Sequence, residues 1–198
     1  MRKALASCSL AIVALCGSVM AKADTCSSNP YNLVSNCGFE TGTFAGWSGT
    51  STTDGNSGVD SSDPYQGTYE AYLGSIGSTK TLSQTFATVA GQQYTLQFAL
   101  DETLFGASTG YTNSFMADFG SSVLFSESNV GLSPYVYYTL RGVATGSSTT
   151  LSFISENDAG YFDVDDVSLT ATPEPSSLML LGTGLVGALG VARRRLRA

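Results

Sequence analysis

From position 69 to 170, apolar and polar side chains alternate with a period of two in a series of short runs. The clearest spans 92–100, where Tyr94, Leu96, Phe98 and Leu100 fall on one face and Gln93, Thr95, Gln97 and Ala99 on the other. Similar runs occupy 69–73, 82–88, 115–119, 123–125, 136–143, 149–154 and 162–170. Alternation of this kind marks a strand with one buried face. Gly, Pro, Asn or Ser clusters separate most of the runs, and no window sustains a 3.6-residue apolar period. Without helices to cover a sheet, two sheets must bury each other's apolar faces. The pattern therefore predicts an all-β fold, an antiparallel β-sandwich.

Both ends break this pattern. Arg2 and Lys3 precede an apolar stretch over 4–20, and Ala21-Lys22-Ala23 supplies an A-x-A cleavage site. That order predicts a signal peptide over 1–23, export through the Sec machinery and a mature chain from Asp24. At the other end, Pro173-Glu174-Pro175 blocks any continuing strand or helix. The uncharged stretch 178–192 follows; as a helix it would span roughly 22 Å, against a bilayer core of ~30 Å. Arg193, Arg194 and Arg195 then stop translocation and stay cytoplasmic. The division is a signal peptide (1–23), a β-sandwich domain (24–171) and a tail (172–198) with a single hydrophobic transmembrane helix over 178–192.

This tail closely resembles the PEP-CTERM sorting signal of Gram-negative bacteria, with Pro173, Glu174 and Pro175 as the motif. The resemblance implies recognition and cleavage by the membrane protease exosortase. It also implies transient anchoring in the inner membrane, then release to the outer envelope or the extracellular space.

Charge follows the same division. Of nine Lys and Arg, only Lys80 and Arg141 lie between 24 and 172, against 15 Asp and Glu, a formal balance of −13. Such a surface repels nucleic acid, which is excluded as a partner, and favours divalent cations. The chain has no histidine, so His-based triads and Cys2His2 zinc sites are excluded. Cys8 and Cys16 leave with the signal peptide, and Cys26 with Cys37 remain to form a disulfide in an oxidising compartment.

The domain's edges are more specific. Asn32-Leu33-Val34-Ser35-Asn36-Cys37-Gly38-Phe39-Glu40-Thr41-Gly42, running on to Gly46-Trp47, resembles the opening of jelly-roll, galactose-binding-like carbohydrate-binding domains. The segments 82–86 and 91–98 match that group's central strand pair, and 162–169 matches its closing strand. Cys37 stands where the family has glycine, a departure that the disulfide with Cys26 would explain. The resemblance implies a jelly-roll fold and a structural calcium between the first and last strands. Glu40 in the opening motif and Asp165 and Asp166 in the closing one are its ligand candidates. Calcium accepts irregular sets of six to eight oxygens. Adjacent strand residues point to opposite faces, so Asp165 and Asp166 are expected to diverge. The competing reading is a set of solvated edge carboxylates.

Aromatic residues supply the ligand-binding candidates. Trp47 could stack on a sugar, although its place in the Gly-Trp motif favours the core. Tyr135 and Tyr137 share one face of a strand and Tyr138 takes the other, with Tyr65 and Tyr111 in loops; the rings serve sugar stacking or plain sheet packing. Asp101 and Glu102, expected on a loop, are too close in sequence for a glycosidase pair. Asp54, Asp60 and Asp63 lie in a Gly- and Ser-rich stretch, as a second cation site or a solvated loop. The sequence thus points to an exported, non-catalytic cell-surface or extracellular-matrix protein that binds exopolysaccharide or supports biofilm or floc formation. The alternatives are a structural matrix protein without a specific ligand and an enzyme of polysaccharide turnover.

Overall fold

The computed structural model describes residues 24–104, 112–129, 131–158 and 160–173, with 183, 184 and 193 beyond them. Asp24 caps a single helical turn, Thr25–Ser28, by accepting from the backbone N–H of Cys26 and Ser27. Among the described residues nine strands follow: β1 (Gly58–Asp60), β2 (Glu70–Leu73), β3 (Lys80–Ala87), β4 (Gln93–Leu104), β5 (Asn113–Phe119), β6 (Ser122–Ser128), β7 (Ser133–Val143), β8 (Ser148–Asn157) and β9 (Gly160–Ala171). They form a five-stranded sheet, β1-β2-β9-β4-β7, and a four-stranded one, β3-β8-β5-β6. Every pairing is antiparallel. The expected two-sheet antiparallel sandwich is the observed fold, and all eight alternating runs fall on β2 to β9.

The core lies between the sheets. Tyr94, Leu96 and Phe98 of β4 face Phe115, Ala117 and Phe119 of β5 and Leu151 and Phe153 of β8, all buried. Phe98 is the hub, with ring centroids 5.1 Å from Phe153, 5.4 Å from Tyr138 and 6.1 Å from Phe115. Each such ring contributes about 1.5–3 kcal/mol by leaving water.

Two expectations needed revision. Asp60 belongs to β1, a strand too short to show alternation, and is register partner to Glu70. Asp101 and Glu102 are not in a loop, because β4 continues to Leu104 on β9. In β4 they point to opposite sides. Glu102 enters the space between the sheets and accepts from Asn113 Nδ2 at 2.9 Å and Asn157 Nδ2 at 3.1 Å. Asp101 points outward, register partner to Asp163.

Opening and closing segments are joined directly. Leu33 N–H donates to Leu169 O at 2.9 Å, and Val167 N–H donates to Cys37 O at 2.9 Å. The Asn32 side chain accepts from Leu169 N–H at 2.9 Å and donates to Val167 O at 3.2 Å. Cys26 and Cys37 are disulfide-bonded, with Cα atoms 6.0 Å apart. This bridge anchors the helical turn to the same junction.

Candidate functional site

The outer face of the five-stranded sheet collects most of the unusual chemistry. Registers place Tyr72 of β2 beside Asp163 of β9, Asp163 beside Asp101 of β4, and Ala99 between Asp165 of β9 and Tyr137 of β7. Glu70 shares the Tyr72 face of β2, and Tyr135 shares the Tyr137 face of β7, because side chains two apart on a strand point the same way. The result is a patch of carboxylates flanked by tyrosines.

A loop between β1 and β2 folds over this patch. Ser62 N–H donates to both Asp60 Oδ1 (2.8 Å) and Glu70 Oε1 (3.1 Å), and Asp63 N–H adds a second bond to Glu70 Oε1 at 3.0 Å. Gln66 N–H donates to Asp165 Oδ2 at 2.8 Å. From the same loop the Tyr65 ring stacks on Tyr137, with centroids 5.8 Å apart, and tilts over Tyr135 at 5.3 Å. Tyr137 is still 39% exposed. It borders a polar pocket of about 190 Å³ with Thr25, Asn29, Gln97, Asp166 and Ser168. A second cleft, of about 290 Å³, opens beside Asp101 and Ser133.

Burial shapes the electrostatics. Glu70 is pushed up to about 8, first by burial and then by the neighbouring charges of Asp60 and Asp163. Burial raises Glu102 to about 7 against the amide donors of Asn157 and Asn113, and raises Asp165 to about 7 against the Gln66 and Asp166 N–H groups. Asp101 is raised by burial and by Asp63. Asp60 goes the other way: burial would raise it, but hydrogen bonds from Glu70 and Ser62 outweigh that and lower it. Tyr135 and Tyr137 hold their protons more firmly than free tyrosine, first through burial and then through the facing carboxylates.

The calcium candidates are placed as follows. Glu40 is exposed, and its Oε1 accepts from Thr68 N–H at 2.8 Å and Tyr69 N–H at 3.1 Å. Gly67, at φ 68°, leaves room for this carboxylate, since a Cβ there would collide with it. Asp166 accepts from Cys26 N–H at 2.8 Å, from the Thr25 hydroxyl at 2.9 Å and from the Tyr137 hydroxyl. Asp165 accepts from Gln66 and Asp166. Donors of the chain itself therefore hold each of the three, and they do not gather into one oxygen set. Among the described residues, the only trio of ligand atoms within 4.8 Å of one another is Asp24 with Cys26 and Cys37, and those sulfurs are joined to each other.

The expected divergence of Asp165 and Asp166 is also overturned. The β4–β9 register steps from Gln97↔Ser168 to Ala99↔Asp165, so β9 carries one extra residue opposite Phe98. Asp166, at φ 49°, absorbs it as a bulge. Both carboxylates consequently serve the outer side of the sheet, Asp165 beneath the Gln66 loop and Asp166 beside Tyr137.

Trp47 leaves the ligand-binding set. It is 7% exposed, stacked on Phe39 at 5.5 Å, and its Nε1 donates to Asn36 O at 3.2 Å. Tyr111 lies outside the described residues. So do Glu174, Pro175, Arg194, Arg195 and nearly all of the 178–192 segment. Pro173 and Arg193 are described as exposed. Among the described residues no helix is long and apolar enough to cross a membrane. Sequence reasoning missed Glu70 and Asp163 as site residues: Glu70 is a single acid in a strand with no local motif, and Asp163 stands in the closing motif beside Asp165 and Asp166, which drew the metal reading instead.

Comparison with known proteins adds two findings. Residues 171–195 match the PEP-CTERM protein-sorting motif. The chain carries a PEP-CTERM sorting tail. That motif implies an exported protein sorted to the cell surface and processing by exosortase. No curated protein sequence matches the chain. Among solved structures, the sandwich is similar to TmCBM61 in complex with β-1,4-galactotriose, at 20% identity and a TM-score of 0.53, covering 71% of this chain and 99% of that one. It is also similar to a xylan-binding domain from CBM 22, at 16% identity and a TM-score of 0.52, covering 72% and 97%. A third similarity is to the enzymatically active domain of tailspike protein 4 from bacteriophage CBA120. There the identity is 14% and the TM-score 0.50, over 72% of this chain but only 22% of the tailspike chain. At such identities the likeness concerns the fold alone.

Proposed function

We propose that this protein is a non-catalytic surface or matrix protein that binds exopolysaccharide on the outer face of its five-stranded sheet. The Sec machinery exports it, and exosortase releases it from the inner membrane of a Gram-negative bacterium to the outer envelope or beyond. The observation that carries the binding reading is Tyr137, half-open and bordered by Gln97, Asn29, Asp166 and Ser168 in one polar pocket. An aromatic ring edged by hydrogen-bonding side chains suits a sugar, which offers one apolar face and a ring of hydroxyls. The acidic balance favours neutral polysaccharide over uronate-rich polymer, which it repels. Asp101 and Glu102 on opposite sides of β4 supply no facing carboxylate pair, which supports a binding role over a hydrolytic one. In this reading the protein crosslinks matrix polymer in a biofilm or floc.

Binding to an array of bacterial exopolysaccharides tests this. Retention of at least one neutral polymer by the wild type, and its loss in Tyr137→Ala with the β-sheet circular dichroism spectrum and cooperative unfolding retained, is the expected result. No retention of any polymer would favour a structural matrix protein instead.

A further inference from the structure

Among the described residues, six acidic side chains are more than nine-tenths buried: Glu70, Asp101, Glu102, Asp163, Asp165 and Asp166. Glu102, Asp165 and Asp166 are held by donors of the chain. Glu70 and Asp101 are held through one oxygen only, Glu70 Oε1 by the Ser62 and Asp63 N–H groups and Asp101 by the Glu102 N–H. No hydrogen-bond donor reaches Glu70 Oε2 or Asp101 Oδ1, and both atoms are closed to solvent. The buried hydroxyl of Tyr135 also lacks a partner. These atoms belong to one place. Asp101 and Asp163 are register partners, Glu70 is within electrostatic reach of Asp163, and the charges of Asp163, Glu70 and Asp101 all reach Tyr135. Asp63 closes the roof, with its N–H on Glu70 and its charge facing Asp101.

A buried, charged carboxylate with one oxygen left unpaired is unfavourable unless a cation or a proton neutralises it. The domain's own cations are badly placed for this. Lys80 lies in the other sheet, and Arg141 is six residues along β7 from Tyr135, roughly 20 Å at the strand rise. A polymer cannot reach oxygens that are closed to solvent, whereas a single ion can.

We propose that Glu70, Asp101 and Asp163, beneath the Tyr135 hydroxyl, hold one calcium ion. The donor set is entirely oxygen and irregular, which suits calcium better than magnesium with its demand for octahedral geometry. An exported domain meets millimolar calcium, and modules in that setting bind with Kd of about 10⁻⁴–10⁻³ M. Among the described residues no three of these carboxylates bring oxygens within 4.8 Å of one another, so binding draws β2, β4 and β9 side chains inward. Tyr135 is within electrostatic reach of all three acids and Tyr65 packs on it, so both rings report that contraction. The inference is independent of polysaccharide binding, and its test contains no sugar.

The experiment is a calcium titration of the full chain, purified in detergent and stripped with EDTA, followed by calorimetry, tyrosine fluorescence and melting. One ion per chain, a fluorescence change and a melting rise of several degrees in millimolar CaCl₂ are expected, with a smaller rise in MgCl₂. Glu70→Gln and Asp163→Asn should each weaken calcium binding by about tenfold or more, while Glu40→Gln leaves it unchanged. Tyr135→Phe removes one hydroxyl only and should weaken binding in the same direction, which covers the case of an acid variant that fails to fold. Absence of any calcium effect on the wild type would overturn the proposal. So would loss of the effect in Glu40→Gln with Glu70→Gln unaffected, which would return the ion to the opening strand.

Discussion

Val164 and Val167 stand three positions apart on β9, yet both are fully buried in the core. Strict alternation forbids this, and the bulge at Asp166 permits it. The extra residue keeps Phe162 and Val164 in phase with Val167 and Leu169, and it brings the Asp166 carboxylate to Thr25 and Cys26.

Substitution at this bulge should therefore separate backbone from side-chain effects. Asp166→Asn keeps an acceptor and tolerates φ above zero, so it should cost about 1 kcal/mol or less. Asp166→Val loses the acceptor and is strained at φ 49°, and should cost about 2–4 kcal/mol. Urea denaturation of both variants checks the order, and equal midpoints would show that the bulge does not depend on this side chain.

The Cys26–Cys37 disulfide closes a short loop onto the same junction. Cys37→Ser should destabilise the domain by about 2–3 kcal/mol, and neither thiol of the native protein should alkylate until reductant is added. Free labelling of both would remove the bridge from the account.

Acidity offers a third check, measured with EDTA present. Glu70 at about 8 faces Asp60, the Asp63 N–H and Asp163, while Glu102 at about 7 faces Asn157, Asn113, Asp101 and Asp163. Asp165 at about 7 faces the Gln66 and Asp166 N–H groups and the charges of Asp166 and Asp24. All three are raised above their ordinary values. Between the unfolded and folded pKa the folded state holds protons that the unfolded chain has released, so stability falls as pH rises. The melting temperature should decline from about pH 4.5 to about pH 8 and then level off. Glu102→Gln should flatten the part of that decline below about pH 7. A melting temperature that climbs over this range would mean these carboxylates are charged in the fold.

Processing at both termini is the fourth expectation. Mass spectrometry of the exported protein should find Asp24 at its start and no residues beyond the Pro173–Pro175 region. Neutralising Arg193, Arg194 and Arg195 should impair sorting, because their retention on the cytoplasmic side orients the tail. An exported form that still carries the arginine cluster would contradict exosortase release.

Period-two alternation in 92–100 and its fellows was enough to determine an all-β sandwich, because which face a strand residue takes is a local property of the pleat. The Pro-Glu-Pro tail and the Cys26–Cys37 pair were equally legible, since each is a short pattern with its own chemistry. Tertiary structure decided what stands beside what. The order β1-β2-β9-β4-β7 brings Glu70, Asp163 and Asp101 onto one face from strands far apart in sequence. It also lets Tyr65, a loop residue, close over Tyr135 and Tyr137. Asp165 and Asp166 were placed on opposite faces by alternation and reunited by a bulge that only the pairing with β4 reveals. Strand neighbours are chosen by non-local packing of whole sheet faces, and that information is not present in any short stretch of the chain.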